Sequence, residues 1–383
     1  MSKKKVKTIA FYLPQFHTIP ENDEAYGKGF TEWVNTKKAK PLFDGHYQPR
    51  TPLNENYYCL LDEGVMEKQI KLAKENGVYG FCYYHYWFKN GKKLLEKPIE
   101  KMLQDPSLDM PFCLCWANEN WSKRWDGGDN GIIVSQDYGD EEDLKRHVDY
   151  LCQFFKDSRY IKKDGKPILL IYKLDLIPNL EKTLSIIRKR VKKNGFPGVE
   201  IIGQYPKFYL EKNNLQLLDG YVQFQPRFIQ EQLMADSHSG IVNAIKRIMI
   251  KLGLRMVGRK IRKIFVKSYR DDYEKKLEIR DYDADWNQIL NYKVKDPTLY
   301  AGAFVDWDNT PRNVNGLVYT AASPEKFEKY MKLLLEKVKK EYKTEYIFIN
   351  AWNEWAEGAY LEPDEKYGYA YLHALKRVME SQN

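Results

Sequence analysis

The sequence predicts an α/β protein of the (β/α)8, or TIM-barrel, class. Three observations carry that expectation. Eight short apolar runs punctuate the chain, with helical stretches between most of them. The runs are apolar without a polar residue at every second position, as strands covered on both faces are. Polar and aromatic residues collect just past the C-terminal end of run after run, which is the working face of such a barrel. The 383 residues exceed a common single domain, yet barrels of this class run that long. One catalytic domain over 1–383 is expected, with a helical insert at 226–297 after about strand six.

The first strand is expected at 8–13, ended by Pro14, and Gln15 and His17 follow at once. Residues 18–56 form a long irregular stretch containing Glu32 and Trp33; a loop of that length in a compact domain is usually functional. Helical spacing over 60–76 stops at Gly77. The second strand, 80–87, is aromatic almost throughout and ends in Tyr84, His85, Tyr86 and Trp87. A helix at 94–103 leads to strand three, 111–116, which runs into Trp116, Asn118, Glu119 and Trp121. The helix at 141–155 opens with an acidic turn, matched to its dipole. Strand four, 167–172, ends in Tyr172, and the helix at 180–193 is closed by Gly195 and Pro197. Strand five, 200–205, ends in Gln204 and Tyr205; strand six is the short run 220–223. Strand seven, 301–306, leads into Asp306, Trp307 and Asp308. A helix at 324–340, strand eight at 346–351 and a helix at 369–379 complete the pattern.

Strand eight runs into Asn353-Glu354-Trp355-Ala356-Glu357-Gly358. Two carboxylates three apart on a turn lie on one side of the backbone. One can be kept protonated by burial and by its like-charged neighbour, while the other stays ionised. Carboxylates that exchange protons, aromatic faces that stack on sugar rings and amides that bond hydroxyls together make a sugar-cleaving site. Glu354 and Glu357 are therefore the expected catalytic residues. The residues named at the strand ends, with Glu32, Trp33, Asn353 and Trp355, are the expected substrate contacts. Structural readings stand beside several of them: His85 as a core histidine, Glu119 as a loop charge, Asp308 as a turn cap, Trp121 as core.

Five cysteines at unrelated spacings read as reduced, buried thiols rather than a metal centre, and no metal or cofactor is expected. The N-terminal apolar run is too short for a signal peptide, and no 18-residue apolar stretch occurs, so a cytoplasmic protein is expected. The net charge of +9 resides in the insert: residues 238–270 hold ten Lys or Arg and no Asp or Glu. Apolar residues interleave with those charges at helical spacing. Either a helix packs on the barrel with a solvated basic face, or residues 246–270 contact an anionic membrane peripherally. Nucleic acid is not an expected partner, because the segment lacks aromatic interleaving and a known module. No Gly-rich phosphate loop is recognisable, and the Asp283-Ala284-Asp285 pair follows no apolar strand.

Six motifs together resemble one family. They are Tyr12-Leu13-Pro14-Gln15-Phe16-His17, Gly29-Phe30-Thr31-Glu32-Trp33, Gly45-His46-Tyr47-Gln48-Pro49, Gly80-Phe81-Cys82-Tyr83-Tyr84-His85-Tyr86-Trp87, Cys115-Trp116-Ala117-Asn118-Glu119-Asn120-Trp121 and Trp352-Asn353-Glu354-Trp355-Ala356-Glu357-Gly358. The chain resembles the WbsX family, proteins similar to glycoside hydrolase family 99 and found with bacterial O-antigen or capsule gene sets. The resemblance implies a (β/α)8 barrel and catalysis without a metal. In family 99 endo-α-mannosidases both glutamates of Asn-Glu-Trp-x-Glu-Gly are catalytic. Carried over, Glu354 is the base on the sugar 2-hydroxyl, giving a 1,2-anhydro intermediate, and Glu357 is the acid and then the base for water. The expectation is a retaining glycoside hydrolase or transglycosidase acting on a cell-surface polysaccharide or its lipid-linked precursor. A glycosyltransferase of O-antigen or capsule synthesis is the alternative, because WbsX proteins commonly carry that label. A glycan-binding protein without turnover is the third.

Overall fold

The chain's apolar runs become β1 (Lys7–Tyr12), β2 (Gly80–Trp87), β3 (Phe112–Trp116), β4 (Lys166–Ile171), β5 (Glu200–Gly203), β6 (Gly220–Val222), β7 (Leu299–Phe304) and β8 (Tyr346–Asn350). The computed structural model describes residues 5–123, 131–204, 216–233, 277–294, 296 and 298–382. Each strand pairs in parallel with the next, and β1 pairs with both β2 and β8, so the sheet closes into an eight-stranded barrel. Every residue of β2, β3, β7 and β8 is buried. Closure puts one face inside the barrel and a helical layer over the other, which is why the runs are continuously apolar. Gly302 shows how tightly β6 and β7 approach, since a Cβ there would lie 1.7 Å from the Gln223 carbonyl oxygen.

Two short helices, α1 (Pro20–Tyr26) and α2 (Glu32–Lys38), follow β1, and the outer layer contains α3 (Val65–Glu75), α4 (Lys97–Gln104), α5 (Glu141–Phe155), α6 (Leu180–Lys193), α7 (Tyr282–Asn291), α8 (Pro324–Glu341) and α9 (Ala370–Glu380). Asp140, Asn179, Asp281 and Ser323 cap α5 to α8 by accepting a backbone N–H of the first turn. Two short helices, α1 and α2, occupy the stretch read from sequence as irregular. Likewise α7 falls within the range read as an insert, yet it belongs to the barrel's covering. Its Trp286 stacks between Phe304 of β7 and Tyr330 of α8, with centroids 5.4 Å from each. The basic segment 246–270 and Tyr205 lie outside the described residues.

All five cysteines are free, and Cys115 Sγ donates to Gln204 Oε1 at 2.8 Å. Burial pushes the Cys115 thiol up, which keeps it protonated. At the base of the barrel the Val6 N–H donates to Gln382 Oε1 at 2.9 Å, and Gln382 Nε2 returns a bond to the Val6 carbonyl at 3.0 Å. No helix among the described residues is long and apolar enough to cross a membrane.

Candidate active site

Beyond β8 the chain passes a cis Asn350–Ala351 peptide into Asn353–Glu354 and a tight turn over Trp355–Glu357. Asn353 fixes this segment to the end of β1. Its Oδ1 accepts the Leu13 N–H at 2.7 Å and its Nδ2 donates to the Leu13 carbonyl at 3.0 Å. Trp355 turns into the core, stacks on Tyr360 at 3.9 Å and packs against Trp33. Its indole N–H donates to Glu362 Oε2 at 2.7 Å. Tyr58 OH and Gln69 Nε2 also bond Glu362, at 2.8 and 2.7 Å. Burial pushes that carboxyl up to about 7, against the pull of these donors.

With Trp355 anchored inward, Glu354 and Glu357 meet the guanidinium of Arg312, which comes from the loop after β7. Arg312 Nη1 donates to Glu357 Oε1 at 2.6 Å and Nη2 to Glu354 Oε2 at 3.2 Å. Its Nε donates to Glu32 Oε1 at 3.0 Å. Glu32 opens α2, where its backbone N–H bonds the Gln15 carbonyl at 3.1 Å. One buried cation thus serves three carboxylates. Burial works against the Arg312 charge, but Glu32, Glu357 and Glu354 raise its pKa well above the ordinary value. Glu354 is pushed up to about 8, first by burial and then by the charge of Glu357, with Arg312 pulling the other way. It is therefore mostly protonated at neutral pH.

Tyr84 and Tyr86 of β2 belong to the same neighbourhood. Each phenol is raised first by burial, and each also feels the charge of Glu354. The Tyr84 hydroxyl accepts from Gln204 Nε2 at 2.8 Å, and the Tyr86 hydroxyl bonds the Gln15 side chain. Tyr172 lies edge-on to Tyr84 at 6.3 Å and feels both Glu119 and Glu357. Glu119 itself pairs with Lys173 at 2.6 Å.

A second polar network braces the loops. Asp308 accepts His46 Nε2 at 2.8 Å, Gln48 Nε2 at 2.6 Å and Thr310 Oγ1 at 2.6 Å. Leu42 donates its N–H to His46 Nδ1, which leaves Nε2 as the donor to Asp308. Burial raises the Asp308 carboxyl, but His46, Arg50, Thr310 and Gln48 hold it below its ordinary value. Arg50 donates to Asp306 Oδ2 at 2.8 Å and to the Gly358 carbonyl at 3.3 Å. Asp306-Trp307-Asp308 is thus an Asp-x-Asp at a strand end whose carboxylates are bound to an arginine, a histidine and a glutamine. In Asp283-Ala284-Asp285, Asp283 bonds Lys326 and Tyr330, and Asp285 bonds Arg280 and Tyr319.

The structure brings Gln15, Glu32, Tyr84, Glu354 and Glu357 together. Other sequence-derived candidates lie elsewhere. The His85, Trp87 and Trp116 side chains pack under α5: His85 Nε2 lies 2.9 Å from His147 Nε2, and both tryptophans contact the His147 ring. Burial pulls His85 down to about 3, so it is neutral. His17 Nδ1 bonds its neighbouring Thr18 carbonyl, and the charges acting on it are Lys97 and Glu96. Trp33 Nε1 donates to Tyr58, and Trp121 Nε1 to Asn22. Asn118 ties β3 to β4 through both the N–H and the carbonyl of Lys173. Trp307 lies under the Arg227 guanidinium. Arg312, Arg50 and Glu362 were not among the sequence-derived site residues. The usable signal was Arg312 just past a strand end, because two neighbouring acids, one of them buried, need a cation.

The chain is similar to several known proteins. The GH99 endo-alpha-mannosidase from Bacteroides thetaiotaomicron, in complex with BIS-TRIS-propane, is similar in structure with a TM-score of 0.55 and 12% identity. That match covers 98% of this chain and 96% of the mannosidase. A glycoside hydrolase-like protein matches with a TM-score of 0.52 and 13% identity, over 99% of this chain and 95% of the other. At such identities the likeness establishes the shared barrel fold. The WxcX protein of Xanthomonas campestris pv. campestris is 35% identical over 375 residues, 97% of this chain. The chain spans about half (49%) of that relative's length. The family described as Glycosyltransferase WbsX matches residues 8–375, and the chain belongs to that family.

Proposed function

We propose that the chain is a carbohydrate-active enzyme that cleaves or transfers a glycosidic bond with retention, using Glu354 and Glu357. The substrate is a bacterial O-antigen or capsule polysaccharide or its lipid-linked precursor. The observation that carries this reading is the Arg312 fork, which holds both carboxylates of one turn at the barrel's C-terminal mouth. With three carboxyls around one guanidinium, a single proton on the pair lowers the buried negative charge. Burial and the Glu357 charge favour that proton on Glu354. In the reacting arrangement it sits on Glu357.

Glu357 then protonates the departing glycosidic oxygen. Glu354 takes the 2-hydroxyl proton as the 2-oxygen closes on C1, and the C1–O bond to the leaving group breaks. Water or an acceptor hydroxyl next opens the ring at C1 and gives its proton to Glu357, while Glu354 returns its proton to the 2-oxygen. Gln15, Tyr84 and Tyr86 border the reacting sugar. A cytoplasmic site of action, with residues 246–270 against an anionic membrane, belongs to the same reading and is supported by the charge pattern.

The family's description favours a second reading, transfer from a nucleotide-sugar. Against it, the carboxylates of both Asp-x-Asp pairs described above are engaged with cationic or hydrogen-bonding side chains of the protein. Mass spectrometry of the purified protein with its host's polysaccharide repeat separates the two. Cleavage or rearrangement of the glycan alone supports the proposal. Product formed only with UDP- or GDP-sugar supports the transferase.

A further inference from the structure

The three carboxylates on Arg312 do not arrive alike. Glu354 and Glu357 share one turn after β8, whereas Glu32 comes from α2, 280 residues before Arg312. Glu32 takes the Nε edge and leaves the two terminal nitrogens to the pair. It is entirely buried and held from two sides, its N–H by the Gln15 carbonyl and its Oε1 by Asn35 Nδ2 at 3.1 Å. Its Oε2 is buried with no hydrogen-bond partner. The groups facing Glu354 are Glu357 on its own turn, Arg312 from the loop after β7, Glu32 from α2, and the neutral phenols Tyr84 and Tyr86 from β2.

We propose that Glu32 is a positioning residue that acts through Arg312, sharing the guanidinium with Glu354 and Glu357 and so keeping one proton on that pair. The inference rests on their assignment as the reacting pair. The Nε bond fixes the guanidinium plane and aims both terminal nitrogens at the pair. The Glu32 charge divides one cation among three carboxyls. Without it, Arg312 would neutralise the pair more fully and the pair would lose its shared proton at lower pH.

The test is a carbon-13 NMR titration of the full chain labelled at glutamate side-chain carboxyls, with the Glu354 signal assigned through Glu354→Gln. The wild-type signal is expected to stay protonated through neutral pH. In Glu32→Gln, which preserves shape, the midpoint should fall by about one pH unit or more. In Glu32→Asp, which preserves charge, it should move less than half as far. An unchanged midpoint in folded Glu32→Gln, or equal shifts in both variants, overturns the proposal. If Glu32→Gln is too unstable for NMR, the pH dependence of its Tm serves instead. The pH at which stability declines should drop, and an unaltered profile counts against the role. The titration reads the proton directly, so its failure is separate from a failure to find turnover, which would speak only against the glycosidase reading.

Discussion

The backbone N–H of Asp308 donates to the carbonyl of Glu357 at 2.6 Å. That bond ties the loop after β7 to the turn after β8. It is supported on one side by His46, Gln48 and Thr310 around the Asp308 carboxylate, and on the other by Arg50 reaching the Gly358 carbonyl. The carboxylate turn is thus clamped by a network that never touches the carboxylates themselves.

Gly358→Ala should therefore damage both fold and function. Gly358 has φ +62°, and an added Cβ would lie 2.9 Å from the Asp308 nitrogen and 3.0 Å from Arg50 Cζ. The left-handed backbone alone costs about 1 kcal/mol or more, and the contact with backbone adds to it. Thermal unfolding should show a lowered Tm. Turnover should fall about a hundredfold, as expected when a reacting group moves by roughly an ångström.

Glu354→Gln and Glu357→Gln should each reduce turnover by about two to four orders of magnitude or more while circular dichroism and glycan affinity survive. A substrate whose leaving group needs no proton should recover part of the Glu357→Gln loss and none of the Glu354→Gln loss. Wild-type rates in both variants would remove the pair from the mechanism.

Arg312→Leu strands the buried carboxyls of Glu32 and Glu354 and the half-buried one of Glu357, and breaking a buried pair in this way costs about 3–5 kcal/mol. Protonation relieves the strandedness. The Tm deficit relative to wild type should therefore be smaller at pH 5 than at pH 8. Arg312→Lys keeps the charge but not the fork, so it should restore stability more than activity.

Glu354 and Glu362 both have pKa values raised from 4.5, to about 8 and about 7. Between those limits the folded protein binds more protons than the unfolded chain. Stability from these groups is fully present below about pH 4.5 and falls as pH rises toward 7 for Glu362 and 8 for Glu354. The slope is at most about 1.4 kcal/mol per pH unit for each. Folded Glu354→Gln and Glu362→Gln should each show a flatter decline of Tm over that range than wild type. A decline as steep as wild type in both would refute the assignment.

The barrel was legible because strands covered on both faces are apolar at every position. Gly80–Trp87 and Leu180–Lys193 fall where the sequence put them. The sequence PENDEAY of α1 carries no apolar period, so only Pro20 at its first position and the acidic first turn marked that helix. On β2 the aromatic residues are nearly continuous, and sequence could not say which faced inward. Tyr84 and Tyr86 lie with the carboxylates, whereas His85 and Trp87 lie under α5. Glu354 and Glu357 were readable from their spacing among tryptophans. Arg312 was not, because its meaning depends on Glu32, 280 residues away, and only closure of the barrel brings the two together.

The exchange of hydrogen bonds between Val6 and Gln382 places both ends of the described barrel at the base, away from Glu354 and Glu357. The two ends of the described barrel thus meet through hydrogen bonds alone. A short linker joining residues 6 and 382 would span almost no distance, and a cargo fused at either end would hang beneath the barrel, leaving the mouth unobstructed.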